Sequence, residues 1–167
     1  MVANEYPNET ALERRLILFF RIAMGWTFLY AGARQLLEPG WSAAGFLGHT
    51  KTFHDFFAVF AAPGVVAYTD FLVKWGHLLI GLSLLSGLLV RVSGVFGILL
   101  LGTYYFAHMD FPYIETKVNM IVDYHVVYMG VITYLIAKRA GRVWGLDGWL
   151  ESSAIADRVP ALRPLLG

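Results

Sequence analysis

Apolar residues fall along the chain in four runs, at about residues 16–37, 65–90, 92–108 and 118–137, separated by short polar or Pro/Gly-marked stretches. A run of about 20 apolar residues is what crosses a hydrocarbon core. The pattern predicts an all-α fold: an integral membrane four-helix bundle within residues 1–150, with residues 151–167 as a short cytoplasmic tail. The third run is long enough only with Ala107 and His108 included, or where the bilayer is thin. Thr10-Ala11-Leu12-Glu13 is a capping-box sequence, so the first helix is expected to begin ahead of the membrane. Pro39-Gly40 ends it, and Pro63-Gly64 marks the approach to the second. Between them Phe53, Phe56, Phe57 and Phe60 recur at helical spacing among Lys51, His54 and Asp55, which predicts a short amphipathic helix at the outer interface. The second and third runs meet at Arg91 with almost no loop, as a tight antiparallel hairpin. Within it, Gly94 and Gly97 are expected opposite Ser83, Ser86 and Gly87, small residues that permit close approach. Ala31-Gly32-Ala33 imitates a signal-peptide cleavage site, but Arg21 breaks the apolar centre and Glu5 and Glu13 precede it. The first run therefore reads as a retained helix.

Composition strengthens the membrane reading. The 167 residues are 57% hydrophobic and 15% charged, against roughly a quarter charged in ordinary soluble domains. The formal charge of +1 is spread along the chain rather than gathered in a basic stripe, which excludes a nucleic-acid partner. There is no cysteine, so thiolate catalysis, iron–sulfur clusters and Cys-ligated zinc are excluded. Arg14, Arg15, Arg91, Lys138, Arg139 and Arg142 flank one set of run ends. The other set carries Arg34, Lys51 and Lys117, balanced by Glu38, Asp55, Asp110 and Glu115. The positive-inside rule then places both termini in the cytoplasm, with the chain multi-pass in the cell's inner membrane.

With that orientation, every run delivers polar groups to one level near its outer end: Arg34 and Gln35; Asp70, Lys74 and His77; His108 and Asp110; Asn119, Asp123 and His125. An ionisable side chain inside a span costs roughly 2.5–3.5 kcal/mol, so it faces protein or a water-filled cavity and marks a functional site. Helical spacing puts Asp70, Lys74 and His77 on one face, and Asn119 and Asp123 on another. His125, two positions beyond Asp123, should project about 160° away and look toward a different helix. Asp123 is expected to pair with Lys74 or Arg34, whose cationic rim suits a small anion or polar headgroup, or else closes on itself as ion pairs. Lys74 alone could snorkel to the interface. Arg21 lies about 20 Å along the helix from Arg34, near the cytoplasmic side, and is assigned packing or snorkelling rather than chemistry. A bis-His haem, with His77 and His108 as ligands and His125 as substitute, is not favoured; no metal site is expected.

The stretch running from Arg21 through Gly25, Phe28, Gly32 and Arg34 to Gln35 resembles the opening helix of the DoxX/DoxD membrane proteins. Lys74-Trp75-Gly76-His77, the segment from Ala107 through His108, Asp110 and Pro112 to Tyr113, and that from Asn119 through Asp123 to His125 are similar to the DoxD-type branch. The resemblance covers about Ala11 to Asp147. It implies membership of a family that includes the large subunit of thiosulfate:quinone oxidoreductase, which oxidises thiosulfate to tetrathionate outside the cytoplasm, passes electrons to membrane quinone, and pairs with a smaller second subunit. The family carries no residue roles across, so these are assigned from the residues themselves. Arg34 and Lys74, with Asp110 and Asn119 beside them, are expected to hold the anion by charge-assisted hydrogen bonds. His77, His108, Asp123 and His125 are expected to relay protons, since histidine titrates near neutrality. Trp75, Tyr104, Tyr105 and Tyr113 are expected to pack the quinone ring. The rival expectations are a non-enzymatic scaffold or assembly subunit, and a transporter, against which the apolar inner half of the runs argues.

Overall fold

The computed structural model describes residues 9–167. Helix α1 (Ala11–Leu37) starts where the capping box predicts: the Thr10 hydroxyl accepts from the Glu13 N–H at 3.1 Å. It ends as the chain turns extended at Glu38, before Pro39. Two short helices, α2 (Ala44–Leu47) and α3 (His54–Ala61), stand in place of the one interfacial helix expected. Phe53 precedes α3 in a left-handed conformation, and only Phe57 of the four phenylalanines is buried, against Ala43, Leu47 and Ala107. Helix α4 (Val66–Ser86) follows, bent by 93° from α3. Helix α5 (Val90–Ala107) leads into a minimal hairpin of β1 (Met109–Asp110) and β2 (Tyr113–Ile114), which no feature of the sequence reading anticipated.

The last long helix, α6 (Tyr124–Ala137), is shorter than its apolar run. The run counted residues 118–123 as helical; the helix instead begins after Asp123, whose carboxylate caps it by accepting from the His125 and Val126 N–H groups at 3.0 and 3.3 Å. Helix α1 packs on α4, α4 on α5, α5 on α6 and α6 on α1, closing a ring of four helices. Its core holds Ile17, Met24, Phe28, Ile80, Leu84, Leu101, Ile132 and Leu135. The α4–α5 turn lies at residues 87–89 rather than at Arg91. Gly87 adopts a left-handed φ of 69°, which glycine does at no steric cost, so Arg91 falls in the first turn of α5. Gly94 faces Ile132 and Ile136 of α6, not α4. The closest approach is between α1 and α4, where a Cβ on Gly32 would sit 2.5 Å from the Leu78 nitrogen and one on Gly81 2.4 Å from that of Leu29.

The outward faces are as apolar as the core. Phe19 and Trp26 on α1 and Leu99 on α5 are 63, 60 and 61% exposed, in stripes with Ile22, Tyr30, Leu72, Leu79, Val95 and Phe96. A stable surface of this kind calls for lipid or a partner. Helices α1 and α5 are each long and apolar enough to cross a membrane, and α3 with α4 passes as a third, bent span. The chain is thus an all-α membrane protein.

At the end of the bundle away from the β-hairpin the chain does not trail off as a simple tail. It forms α7 (Leu146–Glu151), α8 (Ala154–Arg158) and a 3-10 turn (Pro160–Leu165) that dock back on the bundle. Asp147, 0% exposed, is the anchor. Its carboxylate accepts from the Leu89, Val90 and Gly167 N–H groups at 2.7, 3.2 and 3.1 Å. Arg91 adds a bond from Nη1 to the Pro164 carbonyl at 3.1 Å. Arg21, 1% exposed, donates from Nη1 to the Ala140 and Val143 carbonyls at 2.6 and 2.8 Å and from Nη2 to Trp144 at 3.2 Å. The expected packing role is the observed one, and there is no snorkelling.

Candidate functional site: a histidine and tyrosine cavity

At the opposite end, α1, α4, α5 and α6 bring their polar residues around Tyr104. The Tyr104 ring centroid lies 5.6 Å from that of His77, 6.3 Å from His108 and 6.2 Å from His125. His108 and His125 are 5.1 Å apart, and Tyr124 lies 4.1 Å from His125. These residues enclose a cavity of about 250 Å³, completed by Thr27, Phe28, Ala31 and Gln35 from α1, Leu101 from α5 and Tyr128 from α6. Thr27 on α1 and Tyr124 on α6 are its exposed lining residues.

Each histidine is oriented through Nδ1. His77 donates to the Val73 carbonyl at 2.8 Å, one helical turn back, and His108 to the Tyr104 carbonyl at 2.9 Å. His125 donates to Asp123 Oδ2 at 2.6 Å. Asp123 was expected to meet Lys74 or Arg34, and His125 to face elsewhere. Both expectations fail for one reason: Asp123 is an extended N-cap (φ −117°, ψ −172°), not a helical residue, so its carboxylate turns onto the first turn of α6 and meets His125. Both are almost fully buried. His108 Nε2 lies 3.2 Å from Glu115 Oε1, which also accepts from the Tyr124 hydroxyl at 3.2 Å. The Gln35 Oε1 is buried without a hydrogen-bond partner.

The structure does not assemble the expected anion clamp. Arg34 is exposed, outside the cavity. Lys74 Nζ sits over the Trp41 ring, 5.1 Å from its centroid, and Asp70 accepts from the Ala43 N–H at 2.7 Å. Asp110 pairs with Lys51 at 2.6 Å on the surface. Asn119 acts through its backbone, its carbonyl accepting from the Ile114 N–H at 2.8 Å. Among the four aromatic residues expected around a ring, only Tyr104 lines the cavity. Trp75 faces outward, Tyr105 holds the Ile121 carbonyl at 2.9 Å and Tyr113 lies in β2. Phe28, Tyr124, Tyr128 and Glu115 were missed as site residues; nothing in the spacing of the apolar runs marks which aromatic residues turn inward. A second, more polar cavity of about 340 Å³ lies beyond, lined by Lys51, Asp110, Glu115 and His49 and sharing His108 with the first. Among the described residues, no group of three or more His, Asp or Glu side chains is arranged to hold a metal ion.

Fold and site define a helical membrane protein with a cavity of aromatic and histidine side chains. Comparison with family models, curated proteins and solved structures returns no match.

Proposed function

We propose that this chain is the quinone-reactive subunit of a membrane oxidoreductase. The observation that carries the reading is the cavity that brings His77 and the Asp123–His125 pair around Tyr104, with exposed Thr27 and Tyr124 in its lining on α1 and α6. A volume of about 250 Å³ lies at the small end for ligand pockets; it suits one ring, with an isoprenoid tail leaving through the mouth into lipid. Phe28, Tyr104, Tyr124 and Tyr128 supply the flat walls, and the histidines supply groups that hold or move protons at the ring oxygens.

In this reading α1, α4, α5 and α6 are four spans, with both termini cytoplasmic in the inner membrane and the cavity near the outer interface. Helix α6, with 14 residues, rises about 21 Å, short of the roughly 30 Å core. The extended residues ahead of it, with Val118, Met120, Ile121 and Val122 exposed, would lie at the outer boundary.

The resemblance to the DoxX/DoxD family supports thiosulfate as the reductant. Two thiosulfates lose one electron each to form tetrathionate, and quinone takes up the two electrons with two protons. Because Arg34 and Lys74 stand apart from the cavity, we assign thiosulfate oxidation to a second subunit docked outside. The test is thiosulfate-dependent reduction of a short-chain ubiquinone by protein purified from membranes in mild detergent, alone and with its co-purifying partner. Loss of quinone reduction in His77→Ala and His125→Ala proteins of normal yield supports the site. A folded wild-type protein that neither binds nor reduces quinone overturns the reading and leaves the scaffold role, in which the same substitutions lower assembly rather than turnover.

A further inference from the structure

Resting on the quinone reading, we infer that the cavity is built for the dihydroxy form of its ring, the quinol, and takes quinone only together with protons. The inference comes from counting donors and acceptors. A backbone carbonyl can only accept, so the His77 contact to the Val73 oxygen fixes the His77 proton on Nδ1. The contact to the Asp123 carboxylate does the same for His125. When either ring is neutral, its Nε2 is then a bare lone pair, and both rings line the cavity. The buried, unpartnered Gln35 Oε1 is a third acceptor on the same wall.

The Tyr104 and Tyr128 hydroxyls on the same wall can donate as well as accept; the groups that can only accept are these three, and they match a ligand that donates. The two O–H groups of a quinol meet two Nε2 lone pairs, whereas the two carbonyls of a quinone would face them acceptor to acceptor. An unpaired polar contact of this kind is what a buried site discriminates against most strongly. Quinone therefore binds after Nε2 of His77 or His125 has gained a proton, which is the proton its oxygen needs when two electrons arrive from the sulfur oxyanion reductant. In the reverse direction each quinol O–H gives its proton to Nε2 as the electrons leave. The titratable groups facing these rings are Tyr104 for His77, and Asp123, Tyr124, Tyr104 and His108 for His125. Glu115 stands behind His108 at the polar outer cavity, where protons can be exchanged with water.

The experiment is calorimetric titration of the detergent-solubilised full chain with a short-chain ubiquinol and the matching ubiquinone, under anaerobic conditions at pH 8. Each is run in two buffers of different ionisation enthalpy. The inference expects quinol to bind at least about ten-fold tighter with a buffer-independent heat, and quinone to bind with net proton uptake. In His77→Gln and His125→Gln proteins, whose side-chain amide can donate, the quinol preference should shrink and the proton uptake fall. Quinone binding as tight as quinol with no proton uptake overturns the inference while leaving the quinone site standing. Binding of neither form overturns both. If the variants do not fold, the wild-type titration in the two buffers still decides.

Discussion

The two ends of the bundle each bury ionisable groups, and they use them in opposite ways. At the end that carries α7 and α8, Arg21 and Asp147 bind backbone: three carbonyls for the arginine, three N–H groups for the aspartate. Only the Arg21 Nε is left over, and neither residue lines either cavity. At the end that carries the β-hairpin the histidines spend Nδ1 on the protein, and His77 and His125 turn the other half of the ring to a cavity. A buried charge whose bonds close on main chain is an architectural clamp, because removing it strands the backbone groups it satisfied. A buried ring with half its capacity unspent, next to a void, is where a ligand completes the set.

The sharpest way to break this comparison is at the clamp. Arg21→Met should destabilise the detergent-solubilised protein by about 3–5 kcal/mol, because three buried carbonyls lose their donor at once. A loss under about 1 kcal/mol in denaturant unfolding would place the strength of that end elsewhere. Next comes Asp123→Asn. Asparagine caps helices about as well as aspartate, so α6 should keep its stability, while the proton acceptor behind His125 disappears. The proposed quinone reduction should drop by about a hundred-fold or more, with circular dichroism and melting temperature little changed. Arg34→Ala and Lys74→Ala separate the cavity from the residues first suspected. Ring binding should stay within about two-fold of wild type, since neither residue lines the cavity. A larger loss would bring the anion clamp back.

The smallest effect is expected at the pair of Lys138 and Glu13, 2.5 Å apart on the surface. The hydrogen bond to Glu13 pushes the Lys138 ammonium above its ordinary 10.5. A raised value means the pair contributes below that pH and is lost as pH climbs through the shifted value. Lys138→Gln should therefore lower the melting temperature only slightly at pH 7, and that small wild-type excess should fade above about pH 10.5.

Much of the architecture is legible in the residue pattern. Four apolar runs anticipate four long helices, and Thr10 and Glu13 mark the start of the first. Collecting costly side chains at one level also points to His77, His108 and His125 as neighbours, because depth along a helix follows from rise per residue alone. The angle about each helix is not legible in the same way. These helices are apolar on every side, so hydrophobic periodicity carries no information about which face turns inward. That is why Arg34 and Trp75, at the right depth, point away from the cavity, while Tyr124 and Tyr128 line it. The Asp123–His125 pair needed tertiary structure for a different reason. It depends on where α6 begins, and an Asp before an apolar run reads equally well as a helical residue or as the cap that starts the helix. The runs and levels thus follow from the sequence, since transfer energy and helix rise are properties of single residues and short spans. The cavity and its proton-holding pair were decided by packing, which sets helix rotation and the start of α6 through contacts among four segments at once.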